Sequence, residues 1–382
     1  MKKSSLILKI VLFAALVFSS CSQNTEGFQS FLQGIDNSPA KDKQILLDAY
    51  VKKHTWPQVE GEKVYFLVKD SLHKNIYLSG DMNSWTADSV ALQNITGTAY
   101  HFVEQTYPRN SRLEYKFVAD SLWLRDLLNP IVTQNSPTEN SVLMMPGYRF
   151  PTETLLIKEN RTSSLDTLLF TRGNSGIPRE LYIYRHPAAD PNSPFIIFND
   201  GPDYLRFGQA RIILDNLIAG KRIPAVNAVF IEPLNRMKEY CMDDSYLFLI
   251  FKNILPKIKR EFPQINTKTV GIGGVSLGGL ISVYALKDYA SEIDFVFSQS
   301  GSFWIEEQKI LNELKDLKKP LRIYLDKGVF EKSQEPHINL AGLLTEKQIE
   351  HKYILHNEGH NWSNWRAHLS QALQYCLKES KK

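Results

Sequence analysis

Apolar and polar positions fall into three regimes along the chain. Residues 22–36 are mostly polar and read as a tether. Over 37–53 apolar residues recur at helical spacing, and Ile45, Leu46, Leu47, Tyr50 and Val51 form the predicted buried face of a short helix. Trp56-Pro57 interrupts that pattern. Between about 62 and 148 the apolar runs shorten. Segments 63–68, 75–79, 99–104 and 112–118 read as strands, divided by turn residues at Gly80-Asp81, Asn94, Gly97 and 108–110. Short strands at regular spacing predict a β-sandwich. A stretch with Pro137, Pro146, Gly147 and Pro151 then reads as a linker over 130–160.

From about residue 152 to the end the pattern alternates between strand and helix. Strands are predicted at 181–184, 195–198, 228–231, 270–275, 295–298, 321–325 and 352–355. Helices are predicted over 245–262, 304–317, 338–347 and 365–377, and another presents Ala210, Ile213, Leu214, Leu217 and Ile218 on one face. Pro256 implies a kink or break in the first of these. Apolar strands alternating with helices predict a mostly parallel sheet covered on both faces. The expected organisation is a signal segment over 1–20, a tether and short helix over 21–60, a sandwich over 61–150 and an α/β unit over 151–382.

The α/β unit is organised around 268–286, KTVGIGGVSLGGLISVYAL. A strand enters Gly274-Val275-Ser276-Leu277-Gly278 and leaves as a helix, which is the setting of a G-x-S-x-G nucleophile elbow. Side chains at the flanking positions would collide in so tight a turn, hence the glycines. The following helix points its N-terminus at the serine, which favours developing negative charge. A serine hydroxyl is a weak nucleophile and needs a base, itself oriented by an acid. In such a fold the chain order is Ser, acid, His. His360 follows the last predicted strand and is the candidate base. His351 and His356 lie in or beside that strand, and His368 lies inside the final helix. Two carboxylates follow the penultimate strand. Glu331 is preferred because its loop can return to the imidazole, with Asp326 as the alternative acid. Leu277 N–H is one expected oxyanion donor, and the second should come from the loop 199–204 after the strand 195–198.

Composition bounds the rest. The chain has 382 residues, 43% hydrophobic and 23% charged, an ordinary globular balance. Its net charge is +4. Without Lys2, Lys3 and Lys9 this falls to about +1, which gives no electrostatic case for nucleic acid. The basic start, the apolar stretch 6–18 and Ser19-Ser20 read as a secretory signal too short to be a stable span. Cys21 just beyond it is similar to the lipid-bearing cysteine of a bacterial lipobox, so membrane anchoring outside the cytoplasm is expected. A disulfide between Cys241 and Cys376 is permitted in that compartment but not deducible. Histidines lack metal-ligand spacing, and catalysis is expected to need neither metal nor cofactor.

Two resemblances follow from these residues. Segment 76–85, with 114–120, Trp123, Asp126, Asn129 and Pro130, resembles the early-set immunoglobulin-like module ahead of glycogen-branching enzymes and enterochelin esterases. Such modules can bind glucans in branching enzymes, so Trp85 and Trp123 are candidates either for a sugar platform or for core. Phe198-Asn199-Asp200-Gly201, 214–218, Arg236 with Glu239-Tyr240, Ile254-Leu255-Pro256, 274–279, 298–304 and 359–366 together resemble the putative esterase family of enterochelin, feruloyl and acetyl-xylan esterases and mycolyl transferases. That resemblance implies an α/β-hydrolase fold with Ser276 as nucleophile, His360 as base and Glu331 at the acid position. The family often takes its second oxyanion donor from the residue after Asp-Gly, here Pro202, which has no N–H. Gly201 or Asp203 must substitute, or the hole is weakened. Arg236 is a candidate to hold an anionic or catechol group, or else to pair with Glu239. Trp304, Trp362 and Trp365 are candidate walls of an aromatic pocket. The expected substrate is a catecholate siderophore ester, with a feruloyl or acetyl ester of hemicellulose or a non-catalytic ligand-binding lipoprotein as alternatives.

Overall fold

The computed structural model describes residues 27–171 and 176–378. The leader over 1–20 and Cys21 lie outside the described residues. No helix among the described residues is long and apolar enough to cross a membrane.

Eight strands come first: β1 (Gln58–Glu60), β2 (Lys63–Lys69), β3 (Ile76–Gly80), β4 (Gln93–Asn94), β5 (Tyr100–Thr106), β6 (Arg112–Ala119), β7 (Leu122–Leu124) and β8 (Ser141–Met144). They form two antiparallel sheets, β1-β2-β5-β4 and β3-β6-β7, with β8 also paired to β6. The period-two alternation of β6 turns Leu113, Tyr115, Phe117 and Ala119 to one face, where they join Val64 and Phe66 of β2 and Ile76 and Leu78 of β3 in a common core. Tyr65 and Leu67 point from β2 the other way. They are covered by two helices, Phe28–Asp36 and Ala40–Lys53, through Phe28, Ile35, Leu47, Tyr50 and Val51.

Three expectations are corrected by this arrangement. Much of the supposed tether is the first of these helices, because Phe28, Phe31, Leu32 and Ile35 repeat at helical spacing and β2 offers them an apolar face. In the second helix Ile45 is 68% exposed and Leu46 is also exposed, since only Leu47, Tyr50 and Val51 face the sheet. The supposed linker likewise contains β8, which completes an edge of β6.

Eight further strands make one sheet: β9 (Ser164–Phe170), β10 (Arg179–Arg185), β11 (Phe195–Phe198), β12 (Asn227–Ile231), β13 (Val270–Val275), β14 (Phe295–Gln299), β15 (Arg322–Gly328) and β16 (Glu350–His356). The order is β16-β15-β14-β13-β11-β12-β10-β9. Strands β11 to β16 run parallel, and β9 and β10 are antiparallel at one edge. Every residue of β11, β12, β13 and β14 is buried, as expected where helices cover both faces. The fold is of the α/β-hydrolase type. Its register aligns Val275 with Gln299 and Gln299 with Asp326, so β13, β14 and β15 deliver their following residues to one carboxyl-terminal edge.

Two helical expectations are modified. The 245–262 pattern does not break at Pro256. It runs as Asp244–Phe248, a π-helical turn Leu249–Ile254 and a last segment Leu255–Glu261, and the π-helical turn just ahead of Pro256 lets the chain stay helical there without the proline N–H. The 304–317 pattern is helical only over Lys309–Glu313, because Glu306, Glu307 and Gln308 have φ of 48°, 53° and 63°.

The N-terminal sheets meet the central sheet at the loop after β16. Arg112 N–H donates to Asn357 O (3.1 Å), Ser363 Oγ to Glu114 Oε1 (3.0 Å), and the Arg366 guanidinium to the carbonyls of Gln134 and Asn135 (3.2 and 3.0 Å). Phe330, in the loop after β15, packs into the N-terminal core, edge-on to Tyr107 at 5.9 Å.

Candidate active site

β13 ends against the helix Leu277–Tyr284 with one residue between them, Ser276, at φ 54° and ψ −118°. A Cβ on Gly274 would stand 2.5 Å from the Gly278 carbonyl, so the turn closes only without a side chain there. Ser276 N–H donates to Gln299 O (2.8 Å) and Ser276 O accepts from Ser302 N–H (3.0 Å), which ties the elbow to β14 and the turn after it. The hydroxyl lies 3.1 Å from His360 Nε2 and 3.2 Å from Ser302 Oγ.

His360 Nδ1 is 2.9 Å from Glu331 Oε2. A carboxylate only accepts, so Nδ1 carries the proton and Nε2 is left to accept from the serine hydroxyl. The other Glu331 oxygen accepts from Ser300 Oγ (2.6 Å) and Gly328 N–H (2.8 Å), and Ser300 Oγ in turn accepts from Trp365 Nε1 (2.9 Å). Trp365 also meets the imidazole edge-on at 4.9 Å. Burial works to raise the Glu331 carboxyl. The hydrogen bond and charge of His360, then Lys327 at 3.4 Å and the Ser300 bond, outweigh it and hold the group down at about 2.

Asp326, the alternative acid, is not brought to His360. It is buried at the end of β15, where Oδ2 lies 3.7 Å from His356 Nε2 and 3.4 Å from Gln299 Nε2. β15 runs on to Gly328, which carries the chain three residues further before Glu331 turns back to the imidazole. His368 is engaged elsewhere, with Nε2 2.8 Å from Glu358.

The expected oxyanion donors sit at two helix starts. In Leu277–Tyr284 the first helical bond comes from Leu280 N–H to Ser276 O, which leaves Leu277 N–H outside the helical ladder. After β11, Asp200 at φ 56° leads into the short helix Gly201–Arg206, whose first bond is from Tyr204 N–H to Asp200 O. The N–H groups of Gly201 and Asp203 are therefore also outside the ladder, and Pro202 in that first turn costs the helix nothing. A Cβ on Gly201 would fall 2.3 Å from the Phe230 carbonyl carbon, so the loop must be glycine to lie on β12.

Arg236 is a brace rather than a substrate clamp. It donates to both oxygens of Asp200 (2.7 and 2.9 Å) and to Val275 O (3.2 Å), linking the Asp200 loop to the elbow strand. Glu239, its supposed partner, is held by Arg179 instead (2.5 and 3.0 Å). Trp362 is also corrected: it is buried among Tyr204, Phe207 and Trp365, where the first turn of Trp362–Leu377 packs onto the helix after β11.

A cleft of about 330 Å³ opens beside His360 and Glu331. Trp304, 62% exposed, forms part of it, with Ser300, Lys327, Phe330 and Lys332. Asp81, Ser84 and Trp85 enter it from the N-terminal sheets. Sequence reading missed these last contributions and the role of Ser300. The only signals were the resemblance segments that contain them. A larger cavity of about 490 Å³ lies at the opposite, amino-terminal edge of the strands, near Asp294, Arg322 and Cys376, and its lining holds no serine–histidine pair. Cys241 and Cys376 are free thiols. Among the described residues no group of three His, Cys, Asp or Glu side chains is arranged to hold a metal ion.

Comparison with known proteins agrees with this architecture. The family described as "Putative esterase" matches residues 176–376, just over half of the chain. The ferric enterobactin esterase of Salmonella typhimurium superposes with a TM-score of 0.71 at 18% identity, covering 86% of this chain and 98% of that one. The enterobactin esterase of Shigella flexneri, solved in the presence of enterobactin, gives 0.69 at 19% identity, covering 86% and 97%. At these identities the likeness is one of fold. An uncharacterized protein, YbbA of Bacillus subtilis, is 27% identical over 192 residues, 45% of this chain and 76% of that protein. With the family match spanning the elbow and the histidine loop, the chain belongs to the putative esterase family and is a carboxylic ester hydrolase.

Proposed function

We propose that the protein is an exported serine esterase that cleaves catecholate esters of the enterobactin type. The observation that carries the mechanism is the unbroken chain Glu331–His360–Ser276, with each contact within hydrogen-bond reach. Ser276 Oγ attacks the ester carbonyl as its proton passes to His360 Nε2. The carbonyl oxygen becomes an oxyanion facing Leu277 N–H and a second N–H from Gly201 or Asp203. Collapse expels the alcohol, protonated by His360, and leaves an acyl-serine. Water, deprotonated by the same imidazole, then releases the acid. Glu331 holds the tautomer and stabilises the imidazolium throughout. Family membership argues against the third expectation, a ligand-binding lipoprotein without catalysis.

The cleft supports the substrate class. Trp85 and Trp304 offer flat aromatic faces, and Lys327 and Lys332 offer positive charge, beside the reacting groups. That chemistry suits a planar, anionic ring such as a catecholate. The reading extends to the N-terminus: the leader and Cys21 mark a lipid-anchored exported protein, and the two antiparallel sheets are an immunoglobulin-like sandwich that abuts the esterase unit. A second reading, a feruloyl or acetyl esterase of hemicellulose, is favoured by Trp123, which is 43% exposed and 6.2 Å from Trp85. Incubation with ferric enterobactin and with methyl ferulate, resolved by chromatography, decides between them. The proposal expects dihydroxybenzoyl-serine products that are lost in Ser276→Ala. Cleavage of methyl ferulate alone would refute the siderophore assignment.

A further inference from the structure

Asp81 opens the turn after β3, on the N-terminal sheets, yet it also reaches the loop that carries His360. Its side chain is buried, with 2% of the residue exposed. Oδ2 accepts from Glu114 N–H (2.8 Å) and from Asn361 Nδ2 (2.9 Å), and Oδ1 accepts from Trp85 Nε1 (3.2 Å). Gly359 lies so close that a Cβ on it would stand 2.2 Å from Asp81 Cγ. Asp81 therefore touches the residues on both sides of His360 and also the tryptophan that lines the cleft. Burial, and then the neighbouring Glu114 carboxylate, push its carboxyl upward, and the Glu114 N–H, Arg112 and Trp85 Nε1 work against that push. The acid is steadied from the same side, because Phe330, next to Glu331, is seated in the N-terminal core against Tyr107.

We propose that Asp81 is a positioning residue for ester hydrolysis: from the N-terminal sheets it fixes loop 359–361, and with it the imidazole of His360, while holding Trp85 at the cleft. This rests on the Ser276–His360–Glu331 reading. The imidazole is itself partly exposed, so the serine and the carboxylate do not alone enclose it. Beside the edge-on Trp365 ring, the backbone on either side supplies the remaining restraint. A displacement of about 1 Å at such a group can cost 100-fold in rate.

The test measures kcat and KM for p-nitrophenyl acetate, an ester too small to need Trp85. The variants are Ser276→Ala, Asp81→Ala, Asp81→Asn and Asn361→Ser. Asn361 also caps the last helix by accepting from Asn364 N–H, and serine preserves that cap while falling short of Asp81. Asn361→Ser therefore keeps the question open to measurement if Asp81→Ala folds poorly. Asp81→Ala and Asn361→Ser should lower kcat by about 10- to 100-fold, with KM within about twofold of wild type. Asp81→Asn, which keeps an oxygen for Glu114 and Asn361, should recover most of the loss. Wild-type kcat in Asn361→Ser, or in a folded Asp81→Ala, with Ser276→Ala inactive, would overturn the positioning role and leave the esterase mechanism standing. Equal losses in Asp81→Ala and Asp81→Asn, with KM rising in step, would also overturn it. Undiminished activity in Ser276→Ala would instead sink the mechanism itself.

Discussion

Replacing Glu331 by glutamine changes one atom and reverses the logic of the imidazole. The amide oxygen can still accept from Ser300 Oγ and Gly328 N–H, which places the amide nitrogen opposite His360 Nδ1. Nδ1 must then accept, the ring proton moves to Nε2, and the serine loses its base. The structure sets the scale. Glu331 falls from an ordinary 4.5 to about 2, which is roughly 3 kcal/mol in favour of the ionised carboxylate. Burial opposes that shift, so the favourable contacts are worth at least this much. Were all of it carried into the transition state, losing it would cost roughly 200-fold in turnover, and the wrong tautomer can take the loss to about 10,000-fold. Steady-state hydrolysis of p-nitrophenyl acetate should show kcat reduced between these bounds, with KM little changed. Asp326→Asn in parallel should stay within about threefold of wild type, as a group outside the reacting set. A Glu331→Gln enzyme within tenfold of wild type, or an Asp326→Asn enzyme that loses more, would refute the assignment of the acid.

Three other outcomes follow from the same contacts. Because the folded-state pKa of Glu331 is depressed, its stabilisation is complete above about 4.5 and vanishes as pH falls towards about 2. Thermal unfolding of the wild type should therefore lose more stability than Glu331→Gln across that window. Arg236→Ala leaves the buried Asp200 carboxylate without its guanidinium and loosens the oxyanion loop. It should cost about 1–3 kcal/mol, below a fully buried pair because the arginine is partly exposed, and lower kcat more than it raises KM. Phe28→Ala should destabilise by about 3–5 kcal/mol in chemical denaturation, as for any wholly buried phenylalanine. A value near zero would mean that the first helix does not cover β2 in solution.

The pairing of Ser276 with His360 was legible in the sequence because each position is tied to local structure. Gly274 and Gly278 are needed at a strand-to-helix turn, and His360 follows the last strand. The choice between Glu331 and Asp326 was not legible, since both follow the same apolar run. In the folded chain β15 continues to Gly328 and it is Glu331 that comes beside His360, which no spacing announces. The place of Asp81 and Trp85 beside His360 was not legible for a different reason: the bond from Asn361 to Asp81 joins positions 280 apart, and only the folded chain brings them together. The first helix was legible in principle, through Phe28, Phe31, Leu32 and Ile35, but polar neighbours masked the period. Arg236 and Trp362 were assigned to substrate because their residue types suit it. Tertiary packing gave one an internal carboxylate and the other an aromatic core.

The polar seam between the N-terminal sheets and the histidine loop has a practical consequence for handling the enzyme. It is held largely by hydrogen bonds, with Phe330 as an apolar anchor, while the buried strands β11 to β14 are held by apolar contacts on both faces. Mild urea or warming should therefore part the seam first, so that turnover disappears while far-ultraviolet ellipticity is still native. Activity would then report on the joint, and spectroscopy on the sheet.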